Sequence, residues 1–337
     1  MVLKELCALR GVSGDEGRVR NFVLAHARKH ATEVTVDPMG NVLAFKRGTK
    51  PGAGHAMFAA HMDEVGMIIT GIHDNGLLSY ATIGGIDPRV VVSKPVLVGD
   101  KEVPGVIGAK AIHLQTRAEF EKVLGHKDLY IDIGAKDKDS AEDLVSLGDY
   151  VTFMSDWVEF GEGFVKAKAL DDRVGVMTML SLLENTYEMD MTCAFTVQEE
   201  VGLRGGRCAG YNVRADWAIV LEGTTANDLG DIPEHQRVCI PGKGVAISFM
   251  DRTSIGNIPL RKRLARIAQE EGIPWQLKTV VAGGNDAGAI QTARGAMPTA
   301  ALSVPCRNIH SPSSVASFSD IEAQFRLADA FMRRGMA

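Results

Sequence analysis

Apolar positions along this chain follow helical spacing in some stretches and strand spacing in others, and the texture changes twice. In SGDEGRVRNFVLAHA, Val19, Phe22, Val23 and Ala27 recur at intervals that place them on one helical face. Ser13 and Glu16, ahead of that face, have the spacing of a capping box. The runs TEVTVD, NVLAFKR and HAMFAAH come next, and their length and β-prone content predict strands. From about Gly66 to Val158 the runs GMIITGIHDNGLLSYATIGG, VVVSKPVLVGD, VPGVIGA and DYVTFMSDWVEF are cut by Gly, Pro and Asp-Asn-Gly. Only EFEKVLG and SAEDLVSLG look helical there, so this span predicts a small, mainly β unit.

After Ala169 helices and strands alternate. RVGVMTMLSLLEN, GGRCAGYNV, PLRKRLARIAQEEG, the stretch after GGNDAG and SDIEAQFRLADAFMRRG predict helices, and MTCAFTV, WAIVLE, WQLKTVV and TAALSV the strands between them. Alternation of this kind argues for an α/β fold with a largely parallel sheet flanked by helices. Residues 1–66 and 159–337 are read as one unit, and residues 67–158 as a β-rich insertion. A chain of 337 residues, 45% of them hydrophobic, accommodates both.

The net charge of -5 is small for this length and gives no electrostatic reason to expect nucleic acid or an anionic membrane as partner. Five scattered cysteines, none spaced as CxxC, suggest neither a disulfide framework nor a thiolate zinc site, which fits a cytoplasmic setting. The N-terminus carries charges throughout and lacks the pattern of a signal peptide, and no apolar run approaches the ~18 residues of a membrane span.

The polar residues that stand out occur where the predicted strands end, which is where α/β sheets gather their working groups. His61 and Asp63 follow HAMFAA, Glu199 and Glu200 follow MTCAFTV, Glu222 ends WAIVL and His310 follows TAALSV. Asp171 and Asp172 precede a predicted helix, whose N-terminus favours anions. Singly, each has an ordinary explanation: a core histidine, an N-cap, a solvated strand end. Together they supply the imidazole and carboxylate ligands of a two-metal hydrolytic site. Since consecutive strand side chains point to opposite faces, Glu199 and Glu200 are expected to do different work. One would be a metal ligand and the other a general base or a salt-bridge acceptor. GGNDAG, with Gly284 and Asp286, is a turn into a helix whose N–H groups suit an anion or a substrate backbone.

HMDEVG (61–66), ALDDRVG (169–175), VQEEVGLRGG (197–206), LEGT (221–224), GGNDAG (283–288) and NIHSP (308–312) together resemble the tetrahedral, or TET, aminopeptidases. These are co-catalytic metallopeptidases, some of whose relatives carry glutamyl, deblocking or endoglucanase labels. The resemblance runs in order from GVSGDE to NIHSP. It implies a co-catalytic zinc exopeptidase-like fold and a dinuclear site bridged by Asp171, with His61 and Glu222 on one metal and Glu200 and His310 on the other. Glu199 would be the base acting on a water between the metals, and Asp63 would orient His61. Asp172 would follow an unusual peptide bond rather than bind metal, and Asp286 and Gly284 would adjoin the substrate. The implied cofactors are two divalent ions, zinc, cobalt or manganese, and the implied substrates are peptides that lose their N-terminal residue. The insertion would build dimers that assemble into a homododecamer. Many members of the family have Asp where this chain has Glu222. A dinuclear deacylase or carboxypeptidase-like amidohydrolase, a two-carboxylate glycoside hydrolase and a non-catalytic metal-binding assembly protein are the alternatives.

Overall fold

The computed structural model describes residues 2–336. Along the strand His55–His61, Ala56, Phe58 and Ala60 enter one buried apolar cluster, while Met57 and Ala59 enter another. Alternating side chains must divide this way when both faces of a strand are covered. Asp190–Thr196 splits likewise, Cys193 and Phe195 against Ala194, as does Trp217–Thr225, Ile219 and Leu221 against Ala218 and Val220. With Thr299–Arg307 these strands form the parallel centre of the large sheet, in the order Asp190–Thr196, His55–His61, Trp217–Thr225, Thr299–Arg307.

The flanks of that sheet turn antiparallel. Val42–Lys46 and Glu33–Val36 extend one side, and Ser314–Ser317, Phe164–Ala167 and Val158–Phe160 the other. Val245–Ser248, paired with Trp275–Lys278, branches from Thr299–Arg307. Helices Gly17–Ala27, Leu170–Glu184, Ile258–Glu270 and Phe318–Arg334 cover one face, contributing Val23, Val176, Leu264 and Leu327 to its cluster. Arg204–Asn212 and Asp286–Gln291 cover the other with Ala209 and Ile290. The fold is thus mixed α/β, as the alternation predicts.

Between Gly66 and Phe153 the chain leaves this sheet. Strands Gly66–Ile72, Leu78–Ile83, Leu129–Asp132, Val103–Ala109, Pro95–Val98 and Tyr150–Phe153 close, in that order, into a barrel. Met67, Ile69, Leu78, Val98, Ile107 and Ile131 are part of its separate apolar core. Val158 already belongs to the large sheet, one residue before the boundary expected at 159. Among the described residues no helix is long and apolar enough to cross a membrane.

One local expectation fails, and one helix was not anticipated. Helix Gly17–Ala27 has no side-chain cap, because both members of the expected capping box are drawn into tertiary contacts. The Ser13 hydroxyl donates to Asp63 Oδ2 at 2.6 Å, and Glu16 Oε1 accepts from the Gly14 and Gln198 amides at 2.8 and 3.1 Å. An additional helix, Val2–Ala8, precedes it and buries Leu3, Leu6 and Cys7.

Candidate metal centre

The parallel strands end at one rim, and the loops that follow turn their acids and imidazoles toward each other. His61 is the last residue of its strand, and its backbone N–H donates to Asp172 Oδ2 at 3.2 Å. Its Nδ1 lies 3.1 Å from the Asp63 carbonyl oxygen and 3.4 Å from Asp63 Oδ1. A carbonyl only accepts, so Nδ1 carries the proton and Nε2 is left to face Asp171 Oδ1 at 3.5 Å and Glu222 Oε2 at 3.7 Å. His310, held in a turn with φ 57°, repeats the arrangement. Its Nδ1 donates to the Gly85 carbonyl at 2.9 Å, and Nε2 faces Glu200 Oε1 at 3.3 Å and Asp171 Oδ2 at 3.5 Å.

Asp171 therefore turns one oxygen to each imidazole. It reaches this position in a non-helical stretch, joined to Asp172 by a cis peptide bond, at the start of Leu170–Glu184 rather than as a regular first-turn acid. Gly223 permits the approach: it donates its N–H to Asp171 Oδ1 at 3.2 Å, and a Cβ there would lie 2.9 Å from that of Asp171. His61, Asp171 and Glu222 form one group of potential ligand atoms, and Asp171, Glu200 and His310 a second. Within each group the atoms lie within 4.8 Å of one another. A third combination, His61 with Glu199 and Glu200, crosses the two.

Glu199 and Glu200 are not consecutive strand residues. Their strand ends at Thr196, and Gln198, with φ 54°, bends the chain into a turn. Their different surroundings come from that turn, not from strand alternation. Asp63 holds it: one carboxylate oxygen accepts from the Glu199 N–H at 3.1 Å and the other from the Glu200 N–H at 3.2 Å. Asn41 pins its two ends, accepting from the Val197 N–H and donating to the Gly205 carbonyl, both at 3.0 Å. Thus Asp63 orients His61 chiefly with its backbone carbonyl, while its carboxylate fixes the glutamates. Ser13, Glu16 and Asn41 are positioning residues that the sequence reading did not identify. GVSGDE contains Ser13 and Glu16, and nothing in the sequence marked Asn41.

Behind the rim lies a buried ionic group, also unforeseen. Lys168 Nζ donates to Glu64 Oε1 and Oε2 at 2.7 and 2.9 Å and to the Leu9 carbonyl at 2.8 Å, and Arg173 Nη2 lies 3.6 Å from Glu64 Oε1. It ties the segment after His61 to both sides of Asp171.

The charges in the rim are out of balance. Burial, reinforced by Glu200, Asp286 and Asp63, drives the Glu199 carboxyl well up, and burial drives Glu200 to about 7. Glu222 is raised well above the carboxylate range by burial and by Asp172. Burial opposes charge on His61, but Asp171, Asp63 and Glu199 outweigh it and raise the ring well above its ordinary value. His310, under the same opposing influences, rises to about 9. So many buried acids around two imidazoles call for added positive charge. Glu222 Oε1 is moreover buried with no hydrogen-bond partner. Imidazoles with Nε2 free and carboxylate oxygens without donors are what a divalent cation requires. The residues present fit such a group.

Not every expected residue joins the rim. Asp171, Glu199, Glu200, Glu222, His310 and Gly284 line one cavity of about 160 Å³. Asp286, expected beside the substrate, does not. It is fully buried, and its Oδ2 accepts from the Thr196 hydroxyl at 2.6 Å. Its carboxylate packs so closely on Gly206 that a Cβ there would come within 2.2 Å of Oδ1. The helix that Asp286 opens turns the side chain toward the sheet, leaving Gly284 and Asn285 to the cavity.

Comparison with known proteins gives this geometry a context. The model of the M42 glutamyl aminopeptidase family matches residues 40–327. The chain is 30% identical to the lysyl aminopeptidase of Pyrococcus furiosus over 343 residues, 98% of this chain and 96% of that one. An aminopeptidase structure from the archaeon Desulfurococcus kamchatkensis superposes with a TM-score of 0.94 at 33% identity, covering 99% of this chain and 94% of that one. The Pyrococcus horikoshii TET1 peptidase, described as assembling into a tetrahedron or a large octahedral shell, gives a TM-score of 0.87 at 32% identity and 98% coverage of both chains.

Proposed function

The chain belongs to the M42 glutamyl aminopeptidase family and is a peptidase; on that premise we propose that it removes N-terminal residues from peptides in a divalent-metal-dependent reaction with Glu199 as general base. The observation that carries this reading is Asp171, whose two oxygens face two separate imidazole–carboxylate groups. His61, Asp171 and Glu222 would hold one cation, and Asp171, Glu200 and His310 the other. Zinc, cobalt and manganese all suit such mixed ligands. When bound there, two divalent ions polarise a carbonyl oxygen and make water more acidic.

The chain's own residues supply the rest. The Glu199 side chain is nearly buried, opens on the cavity and has Oε2 4.0 Å from His61 Nε2. It takes a proton from the attacking water and returns it to the leaving amine. The Asp63 carboxylate holds Glu199 and Glu200 apart through their amides, so that one stays free for proton transfer while the other ligates. A glycoside hydrolase would need two carboxylates flanking a scissile bond. It would leave His61 and His310 without a role. The barrel would serve self-assembly, supported by the shells described for the Pyrococcus horikoshii relative and by exposed Ile112, Leu114, Phe120 and Val123.

Dialysis against a chelator tests the reading. Cleavage of aminoacyl p-nitroanilides is expected to be lost, with about two ions per chain released, and to return on adding zinc, cobalt or manganese. Full activity at negligible metal content would refute it.

A further inference from the structure

Beside the acidic cavity at the candidate centre lies a second, larger one, and the two share a wall made by Ile309 and His310. The second cavity measures about 540 Å³ and lies between barrel residues 85–94 and the loop 308–313. That is within the ~300–1,000 Å³ of ordinary ligand pockets, whereas the cavity at the centre, at about 160 Å³, suits a single side chain. The larger space begins at the centre itself: Gly85, on its wall, accepts from His310 Nδ1 at 2.9 Å.

Its charge is of the other sign. Arg89 and Lys94 line it from the barrel, and Asp87, the acid among its lining residues, is already bound: Arg89 Nε donates to both Asp87 oxygens, at 3.0 and 2.9 Å. Lys94 is half-buried, and no carboxylate among the described residues pairs with it. An ammonium partly withdrawn from water gains by meeting a carboxylate. A peptide carries an ammonium at one end and a carboxylate at the other. Glu199, Glu200 and Glu222 stand at the small cavity and an uncommitted lysine at the large one, so the two spaces match the two ends of a short peptide.

We propose that the larger cavity receives the peptide beyond the cleaved bond and that Lys94 pairs there with a carboxylate the peptide carries. In a peptide of two or three residues that group is the C-terminus, and in a longer one it is an acidic side chain. This rests on the aminopeptidase reading above and adds where the departing part of its substrate is held. Selection at this subsite acts on the length and charge of the chain after the bond, not on the residue removed.

The experiment uses the metal-loaded enzyme and peptides that begin with one residue X, the one whose p-nitroanilide the wild type cleaves fastest. X-Ala and X-Ala-Ala are compared with their C-terminal amides, and X-Ala-Asp amide with X-Ala-Asn amide. The X p-nitroanilide and its N-acetyl form test the aminopeptidase reading by themselves. A C-terminal source predicts a kcat/KM at least about tenfold higher for the acid than for its amide, mainly through KM, and a side-chain source predicts the same for Asp over Asn. Either supports the pairing when Lys94→Gln brings the ratio close to one and Lys94→Arg, which restores the charge, keeps it. Lys94→Glu is expected to turn the preference toward the neutral peptide. Each figure is a ratio within one variant, so a general loss of activity does not imitate it, and thermal unfolding checks the fold. Wild-type ratios near one for every pair, or a preference that survives Lys94→Gln, overturn the assignment, while cleavage of the X p-nitroanilide leaves the aminopeptidase reading intact. Cleavage of the N-acetyl substrate alone overturns that reading, and this one with it.

Discussion

At the ends of the central parallel strands, His61, Asp63, Glu199 and Glu222 are all buried. In the barrel, Asp87 pairs with Arg89, Glu119 with Lys110 and Glu121 with Arg117, all across exposed surface. Both regions enclose an apolar core, so the contrast does not lie in hydrophobic burial. Exposed pairs of the barrel type contribute little, because water and salt screen them. Buried acids are costly unless compensated. The rim accepts that cost because a cation there would be held by the same groups that repel one another without it. The barrel contributes by position, and at the centre its Gly85 carbonyl accepts from His310 Nδ1.

The contrast is broken most directly at Glu199. Glu199→Gln is expected to lower kcat by ~10²–10⁴-fold with metal content and fold unchanged, since general acid–base catalysis is typically of that size. Glu200→Gln should instead weaken one metal and respond to excess metal. Measuring bound metal together with kcat for both variants checks the division; a loss of metal on Glu199→Gln, with both ions kept by Glu200→Gln, would reverse it.

A second test addresses the barrel. Phe120 and Val123, 62% and 65% exposed, give that region an apolar surface that the rim lacks. If they serve assembly, the wild type forms a large oligomer of about twelve chains and Phe120→Asp with Val123→Asp dissociates it, as light scattering would report. The isolated chains should retain the fold. An oligomer unaffected by the pair would place the contacts elsewhere.

The smallest effect concerns Asp286, an acid of the buried region that the mechanism does not use. Burial foremost raises its carboxyl to about 6, above the ~3.9 of an unfolded chain. Between those values the folded protein keeps a proton that the unfolded chain releases. The contribution is therefore intact below about pH 4 and is lost as pH rises toward 6, an amount of order 2–3 kcal/mol. Asp286→Asn removes the titration. In the chelator-treated protein, the difference in unfolding free energy between variant and wild type should grow from pH 4 to pH 6 and then level off. A difference independent of pH would show that Asp286 keeps an ordinary carboxylate range.

Much of this was legible from the sequence. The continuous apolar runs HAMFAAH, MTCAFTV and WAIVLE mark strands, and they are covered on both faces because side chains of alternating direction then all need apolar partners. The polar residues after those runs mark the rim, since only strand ends leave room for them. Ser13 and Glu16 were misread because a local spacing rule sees only the nearest amide, whereas Ser13 meets Asp63 and Glu16 meets Gln198 across the fold. Asp286 was misplaced for a related reason: GGNDAG predicts a helix start but not the direction in which its first acid turns.

The sequence by itself determined which residue types stand at the strand ends, and so the chemistry within reach, because hydrophobic periodicity and motif order are properties of the chain. The tertiary structure alone decided which oxygen of Asp171 faces which imidazole, and that Asp63 separates Glu199 from Glu200. The reason is distance along the chain. Gly85 and His310 are separated by 225 positions and Asp63 and Glu199 by 136, and no local pattern encodes a contact that only packing brings together.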